Sequence, residues 1–218
     1  MEDRIAVWRE ALRDASHPRH QVAWLLFTGA FNAEFAGRRL AEQKEAVLPY
    51  LFQILDTPQL YSSDSLGEGY APIHAIELLG HWQVVEAVPR LLRILEEEEE
   101  DAIARDEATE ALASMGPSIR ERMLDYAEKA NPALYHSLAY ILSKVAKGDP
   151  RVFAWVRARL DEAQSEWEIR LMAENLLNLD PEPAIALLEE RIRRRRYNKR
   201  LSEILQRYID NTRRTGSP

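Results

Sequence analysis

The amino-acid sequence predicts an all-α protein, a right-handed α–α superhelix of about five helix pairs forming one domain over residues 1–218. Three observations predict it. Apolar residues recur at i, i+3, i+4 and i+7 along most of the chain, the spacing of one helical face. No convincing run of alternating β-branched residues is present, so no sheet is expected. Segments spaced one helix pair apart repeat one another, the mark of a repeat architecture.

Taken in order, residues 3–14 place Ile5, Trp8, Ala11 and Leu12 on one helical face, and residues 20–36 continue the helical pattern. These N-terminal elements, 1–39, are expected to cap the first repeat. Repeats then occupy 40–192. AVLPYLFQIL at 46–55 aligns with EAVPRLLRIL at 86–95, so that Pro49 meets Pro89, Leu51 meets Leu91, and Ile54 meets Ile94. IHAIELLG at 73–80 aligns with TEALASMG at 109–116, and two further copies lie at 136–145 and 169–179. Each copy reads as a helix pair. The first helix carries a small residue where helices approach closely: Ala75, Ala111, Ala139 and Ala173. The second helix starts near 84, 118, 150 and 183.

Local chemistry supports these boundaries. Gly80 and Gly116 suit the left-handed position just past a helix end. Asn131-Pro132 and Asp149-Pro150 each offer a capping oxygen followed by proline at the first helical position. Ser165 to Glu168 fits a capping box, and Asp180-Pro181 is another break. The one long irregular stretch is 56–70, a length that is often functional in compact domains. Residues 193–211, with Tyr197, Leu201, Ile204, Leu205, Tyr208 and Ile209, form a terminal cap, and 212–218 a disordered tail. Helices this short bury their apolar stripes only by stacking on neighbours.

The stretch IHAIELLGHWQVVEAVPRLLRIL at 73–95 resembles the HEAT-like repeat, including the variety found in phycobilisome lyases. An alanine-rich helix ends in Leu-Gly, and a short turn leads to Ala-Val-Pro and a leucine-rich helix. Gly148-Asp149-Pro150-Arg151 is similar to the turn that family places between its paired helices. The resemblance covers about 40–192, given the repeat length of that class. It departs at 81–83, where His-Trp-Gln replaces Asp-Pro, and at Lys144 and Asn178, where glycine belongs. It implies an α-solenoid.

Composition narrows the chemistry. The absence of cysteine excludes disulfides, thiolate zinc sites and a cysteine nucleophile. The start is acidic and interrupted by charge, unlike a secretory signal, and no apolar run approaches the about 20 residues that span a bilayer. A cytoplasmic protein is expected. The net charge of −7 hides an asymmetry. Residues 191–218 hold 10 Lys and Arg against 2 Asp and Glu, which is +8, leaving 19 basic against 34 acidic, or −15, in the rest of the chain.

Among candidate sites, His17 and His20 flank a turn-like Pro-Arg, while His74 and Glu77 are i, i+3 neighbours with His81 beyond. A metal site there needs ligands from an adjacent repeat. Deoxyhypusine hydroxylase, a HEAT-repeat metalloenzyme, uses consecutive His-Glu pairs, and this chain has none. No metal and no cofactor are expected. The acidic run Glu96 to Asp101 reads as a solvated connection. The basic run Arg191 to Arg200 offers a surface for nucleic acid or another acidic partner, although cations also suit a helix C-terminus.

The sharpest candidate is on the helix from 151. Val152, Phe153, Val156 and Leu160 form its buried stripe, so Arg151, Trp155 and Arg159 form the opposite one. An exposed tryptophan between two arginines is the kind of anchor that dominates interfaces. Arg90, Arg93, Arg120 and Arg122 lie on other second helices and extend the same surface. No phosphate loop or nucleophile elbow is present. The expected function is therefore a non-enzymatic scaffold or adaptor that binds a protein partner on its concave face. The alternative is a nucleic-acid enzyme similar to the HEAT-like alkylpurine DNA glycosylases, with Trp155, Arg151 and Arg159 at the DNA; the −15 body opposes it, because phosphate neutralisation carries most such affinity. A phycobilin lyase relative is a third reading.

Overall fold

A computed structural model describes residues 4–27, 31–97 and 102–216. Among them every regular element is helical. The chain divides into two compact units, Met1–Met115 and Gly116–Pro218.

The first unit contains α1 (Arg4–Arg13), α2 (His20–Phe27), α3 (Ala33–Leu40), α4 (Lys44–Leu55), α5 (Tyr70–His81), α6 (Val88–Glu97) and α7 (Ile103–Ser114). The expected helix over 20–36 is broken. Asn32 leaves the helical conformation and accepts the Phe35 N–H at 2.8 Å, so α3 starts afresh and packs against α5; residues 28–30 lie outside the described residues. Trp8 of α1 is fully buried, stacked on Phe27 at 5.2 Å, with the Arg19 guanidinium over its ring.

Helix α5 is the centre of this unit and packs against α2, α3, α4 and α7, while α6 packs against α7. It is buried on nearly every side, from Ala71 and Pro72 through Ala75 and Ile76 to Leu78, Leu79 and Gly80. Gly80 is not the residue past the helix end. It lies inside α5, and a Cβ there would stand 2.8 Å from both Cα and Cβ of Ala111. The left-handed residue beyond α5 is Gln83 instead. Gly116, by contrast, takes the expected positive φ after α7.

The 56–70 stretch is more ordered than its composition predicts. It holds a 3-10 turn at Pro58–Tyr61, a fully buried Leu60, and a Thr57 hydroxyl that donates to the Gln53 carbonyl at 2.7 Å. Gly67, Glu68 and Gly69 then run in succession at positive φ and lead into α5. Of the acidic run, Glu96 and Glu97 end α6, and residues 98–101 lie outside the described residues.

The second unit contains α8 (Arg120–Ala127), α9 (Tyr135–Val145), α10 (Pro150–Glu162), α11 (Glu166–Leu179), α12 (Pro181–Arg193) and α13 (Lys199–Thr215). Here α11 is central, packed against α9, α10, α12 and α13, and α9 also meets α8 and α10. The caps form as the sequence predicts. Asn131 accepts from the Ala133 N–H, Asp149 from the Arg151 N–H, and Ser165 and Glu168 close a reciprocal capping box. Asp180 gives α12 no side-chain cap. Between α9 and α11 the buried Ser143 hydroxyl donates to Asn175 Oδ1 at 3.1 Å.

The C-terminal cap is longer than expected. Helix α13 buries Leu201, Leu205, Ile209 and also Thr212, whose hydroxyl donates to the Tyr208 carbonyl. The helix runs on to Thr215 and closes on left-handed Gly216, so residues 212–215 are helical and not a disordered tail. The extra turn follows from Thr212, which is one turn beyond Ile209 on the same buried face.

Candidate partner-binding cleft

In the second unit an open cleft of about 310 Å³ lies among the first turn of α9, the last turn of α10 and the first half of α11. Its position follows from the caps. The turn capped by Asn131 starts α9 so that Tyr135 and His136 reach the opening, and the Ser165–Glu168 box starts α11 so that Trp167 stands opposite. Leu171 and Met172 form the apolar wall. Trp167 is 55% exposed and meets the His136 ring edge-on at 5.7 Å. A tryptophan is rarely left this exposed when packing alone decides its place.

The floor is built around Arg159. Its guanidinium lies 4.4 Å from the Tyr135 ring centroid and 5.2 Å from that of Trp155, and Nη1 pairs with Glu162 at 3.2 Å. Its buried Nε has no hydrogen-bond partner, so the ring faces supply what a hydrogen-bond acceptor otherwise would. Glu168 lines the cleft as well. The Ser165 and Gln164 backbone N–H groups donate to its carboxylate at 2.9 Å each and hold it below the usual carboxylate range. The lining thus sets one guanidinium against two carboxylates.

The arginine stripe expected on α10 is divided by its neighbours. Val152, Val156 and Leu160 are buried as the helical spacing requires, whereas Phe153, expected in the same stripe, is only half-buried. Trp155 is half-buried, not exposed between two arginines, because the Tyr135 ring meets it edge-on at 5.4 Å. Arg151 turns away to a separate cluster. It reaches Asp149 at 2.8 Å and Glu121 at 2.7 Å, and Arg120 joins the same two carboxylates. The hydrogen bonds from Arg151, its side chain first, hold the Asp149 carboxyl down at about 2.

Arg90 lies in the first unit, on α6. It pairs with Asp56 at 3.0 Å over the Phe52 ring, and Arg93 takes the other oxygen of Asp56 at 2.7 Å. Burial opposes ionisation of Asp56, but the two guanidinium hydrogen bonds outweigh it and lower its pKa.

Two of the histidines serve packing. His20 Nδ1 donates to the Ala11 carbonyl at 2.7 Å. His74 is buried, stacked on Phe31 and Tyr70, and Nδ1 donates to the Leu26 carbonyl at 2.7 Å; burial pushes its pKa down. No group of three or more His, Asp or Glu among the described residues could hold a metal ion. No described helix is long and apolar enough to cross a membrane.

Trp167, His136 and Tyr135 do not stand out from sequence spacing as site residues, yet a signal for Trp167 is present. The buried stripe of α11 runs through Met172, Ala173 and Leu176. Trp167 falls well off that stripe on a 3.6-residue period. No family model matches the chain, and no curated protein or solved structure matches it either.

Proposed function

We propose that this chain is a non-enzymatic scaffold of the HEAT-like kind, a right-handed superhelix of about five helix pairs, that takes a protein partner in the cleft around Trp167. Each pair is a helix and the next in sequence, as α3 with α4 and α5 with α6 in the first unit, and α9 with α10 and α11 with α12 in the second. Inside the first unit α5 packs against both α3 and α7, and inside the second α9 packs against α11, as first helices of successive pairs do in a solenoid.

The observation that carries the reading is the exposed Trp167 at the mouth of an aromatic cleft. Exposed aromatics beside a well-packed pocket are where interface energy concentrates. The partner segment presents a lysine or arginine, because the lining holds two carboxylates against one guanidinium. The residues that a glycosylase-like reading places at DNA are engaged within the protein: Trp155 by Tyr135, and Arg151 by Asp149 and Glu121.

The test is selection of a displayed peptide library on the intact chain. Binders enriched in basic residues are expected, and Trp167→Ala weakens them about 30-fold, the loss of a central aromatic anchor worth about 2 kcal/mol. Equal affinity for Trp167→Ala, or a library that yields no binder, overturns the reading. A shift of duplex DNA at low salt that depends on Trp155 favours the nucleic-acid alternative instead.

A further inference from the structure

The end of α12 holds a second feature, separate from the cleft. The chain leaves the helix through Arg194 and turns at Arg195, which takes φ +54. The Arg196 N–H then donates back to the Arg191 carbonyl at 3.1 Å. This turn brings Arg191, Arg194 and Arg196 to one pocket of about 210 Å³, and Arg157 of α10 completes its wall. A non-glycine residue at positive φ is unfavourable, so the convergence is held against a local preference.

The four guanidinium groups are not equivalent. Arg191 is only 6% exposed and is fixed by Asp161 at 2.6 Å and by the Tyr197 hydroxyl at 3.3 Å. Arg196 reaches the same Asp161 carboxylate at 3.8 Å, and Arg194 pairs with Glu190 at 2.6 Å. Arg157 is exposed and has no acidic partner among the described residues. Four guanidinium groups face two carboxylates, a local charge of +2 in a chain whose net charge is −7. Favourable placement of cations at a helix C-terminus accounts for arginines near 191–196. It does not account for burying Arg191, nor for Arg157, which comes from a different helix.

We propose that this pocket recognises a single phosphate group on a phosphorylated side chain of a protein partner. A guanidinium fork matches phosphate oxygens two at a time, and clustered arginines are the usual receptor for a phosphorylated side chain. Asp161 and Glu190 orient the forks while leaving N–H donors free, since each guanidinium has five. A nucleic acid fits less well. The pocket is small and takes a single group, whereas a nucleic acid presents consecutive phosphates along an extended backbone. Binding here is independent of the Trp167 cleft.

The experiment is calorimetric titration of the intact chain, at low salt, with a short glycine–alanine peptide carrying one phosphoserine. The controls are the same peptide with serine and a short DNA duplex. Saturable binding of the phosphopeptide alone is expected. Arg157→Ala and Arg194→Ala, both at exposed positions, should each weaken it about tenfold with unchanged melting temperature. Arg157→Lys should recover only part, because lysine lacks the fork. Trp167→Ala should bind the phosphopeptide normally, which separates this proposal from the cleft. No binding at millimolar peptide, equal binding of the serine peptide, or full affinity in both arginine variants overturns it. So does tighter binding of the duplex with a salt slope of several phosphates.

Discussion

Adding one methyl group at Gly80 sets two opposed effects against each other, and the structure decides between them. In a helix interior alanine is favoured over glycine by about 1 kcal/mol, so Gly80→Ala stabilises α5 taken alone. At this position, however, the new Cβ would lie 2.8 Å from Cα and Cβ of Ala111 and 3.2 Å from Ser114 Oγ. Carbon atoms in contact prefer about 3.5–4.0 Å. Because one of the obstructing atoms is backbone, α7 itself must retreat, and with it the hydrogen bonds of Ser114 to the Gly80 carbonyl and of Gln83 to the Ser114 carbonyl. Overpacking of this kind costs about 1–3 kcal/mol, and a backbone shift belongs at the upper end. The net loss is about 2 kcal/mol, or about 4–8 °C in melting temperature for a chain of this size. Gly37→Ala is the control. Its Cβ would meet the His81 ring at 2.6 Å and Trp82 Nε1 at 3.2 Å, but both obstacles are side chains and His81 is exposed and can swing away, so most of the helix-propensity gain should survive. Urea denaturation of both variants is the assay. A Gly80→Ala protein as stable as wild type would refute the reasoning. Ala111→Gly added to Gly80→Ala should recover only part, since the clash with the α7 backbone remains.

Two further perturbations concern charge. Glu77 on α5 is pushed up to about 6, first by burial and then by Glu107 on α7. The folded state therefore favours its neutral form. The associated stability is full below the ordinary value of 4.5 and is lost as pH rises through about 6. After a discount for its partial exposure this amounts to about 1 kcal/mol. Glu77→Gln should accordingly exceed wild type in urea midpoint at pH 7.5 and match it near pH 4; an equal gap at both values counts against the assignment. Asp149→Ala removes the cap of α10 and the shared partner of Arg151 and Arg120, and should cost about 1–2 kcal/mol. Denaturation that is unchanged in this variant would show the cap to be idle.

The features legible in the sequence are those decided by near neighbours. Asn131, Asp149 and Ser165 cap helices through atoms close by in the chain, so their roles follow from order alone. Gly80 reads as a residue past a helix end, whereas its reason for being glycine is Ala111, which lies on α7. Trp155 fits the outward stripe of α10 by period, but its cover comes from Tyr135 on another helix. The break at Asn32 is masked by apolar residues on either side, although an asparagine just ahead of Ala-Glu, with the acid in the first turn, is a helix-start signal. Arg191 shows the same limit from the other side. In the basic run it reads as part of a surface for an acidic partner, and only Asp161 on α10 explains its burial.

The placement of Arg159 over two aromatic rings has a consequence for the charge of the cleft. A guanidinium does not lose its proton at any pH that proteins meet, and this one is held against the faces of Tyr135 and Trp155. The cation at the base of that recess is therefore a permanent one. In the proposed function, selectivity at this cleft rests on the carboxylates of Glu162 and Glu168 that surround that cation and on the reach of Trp167.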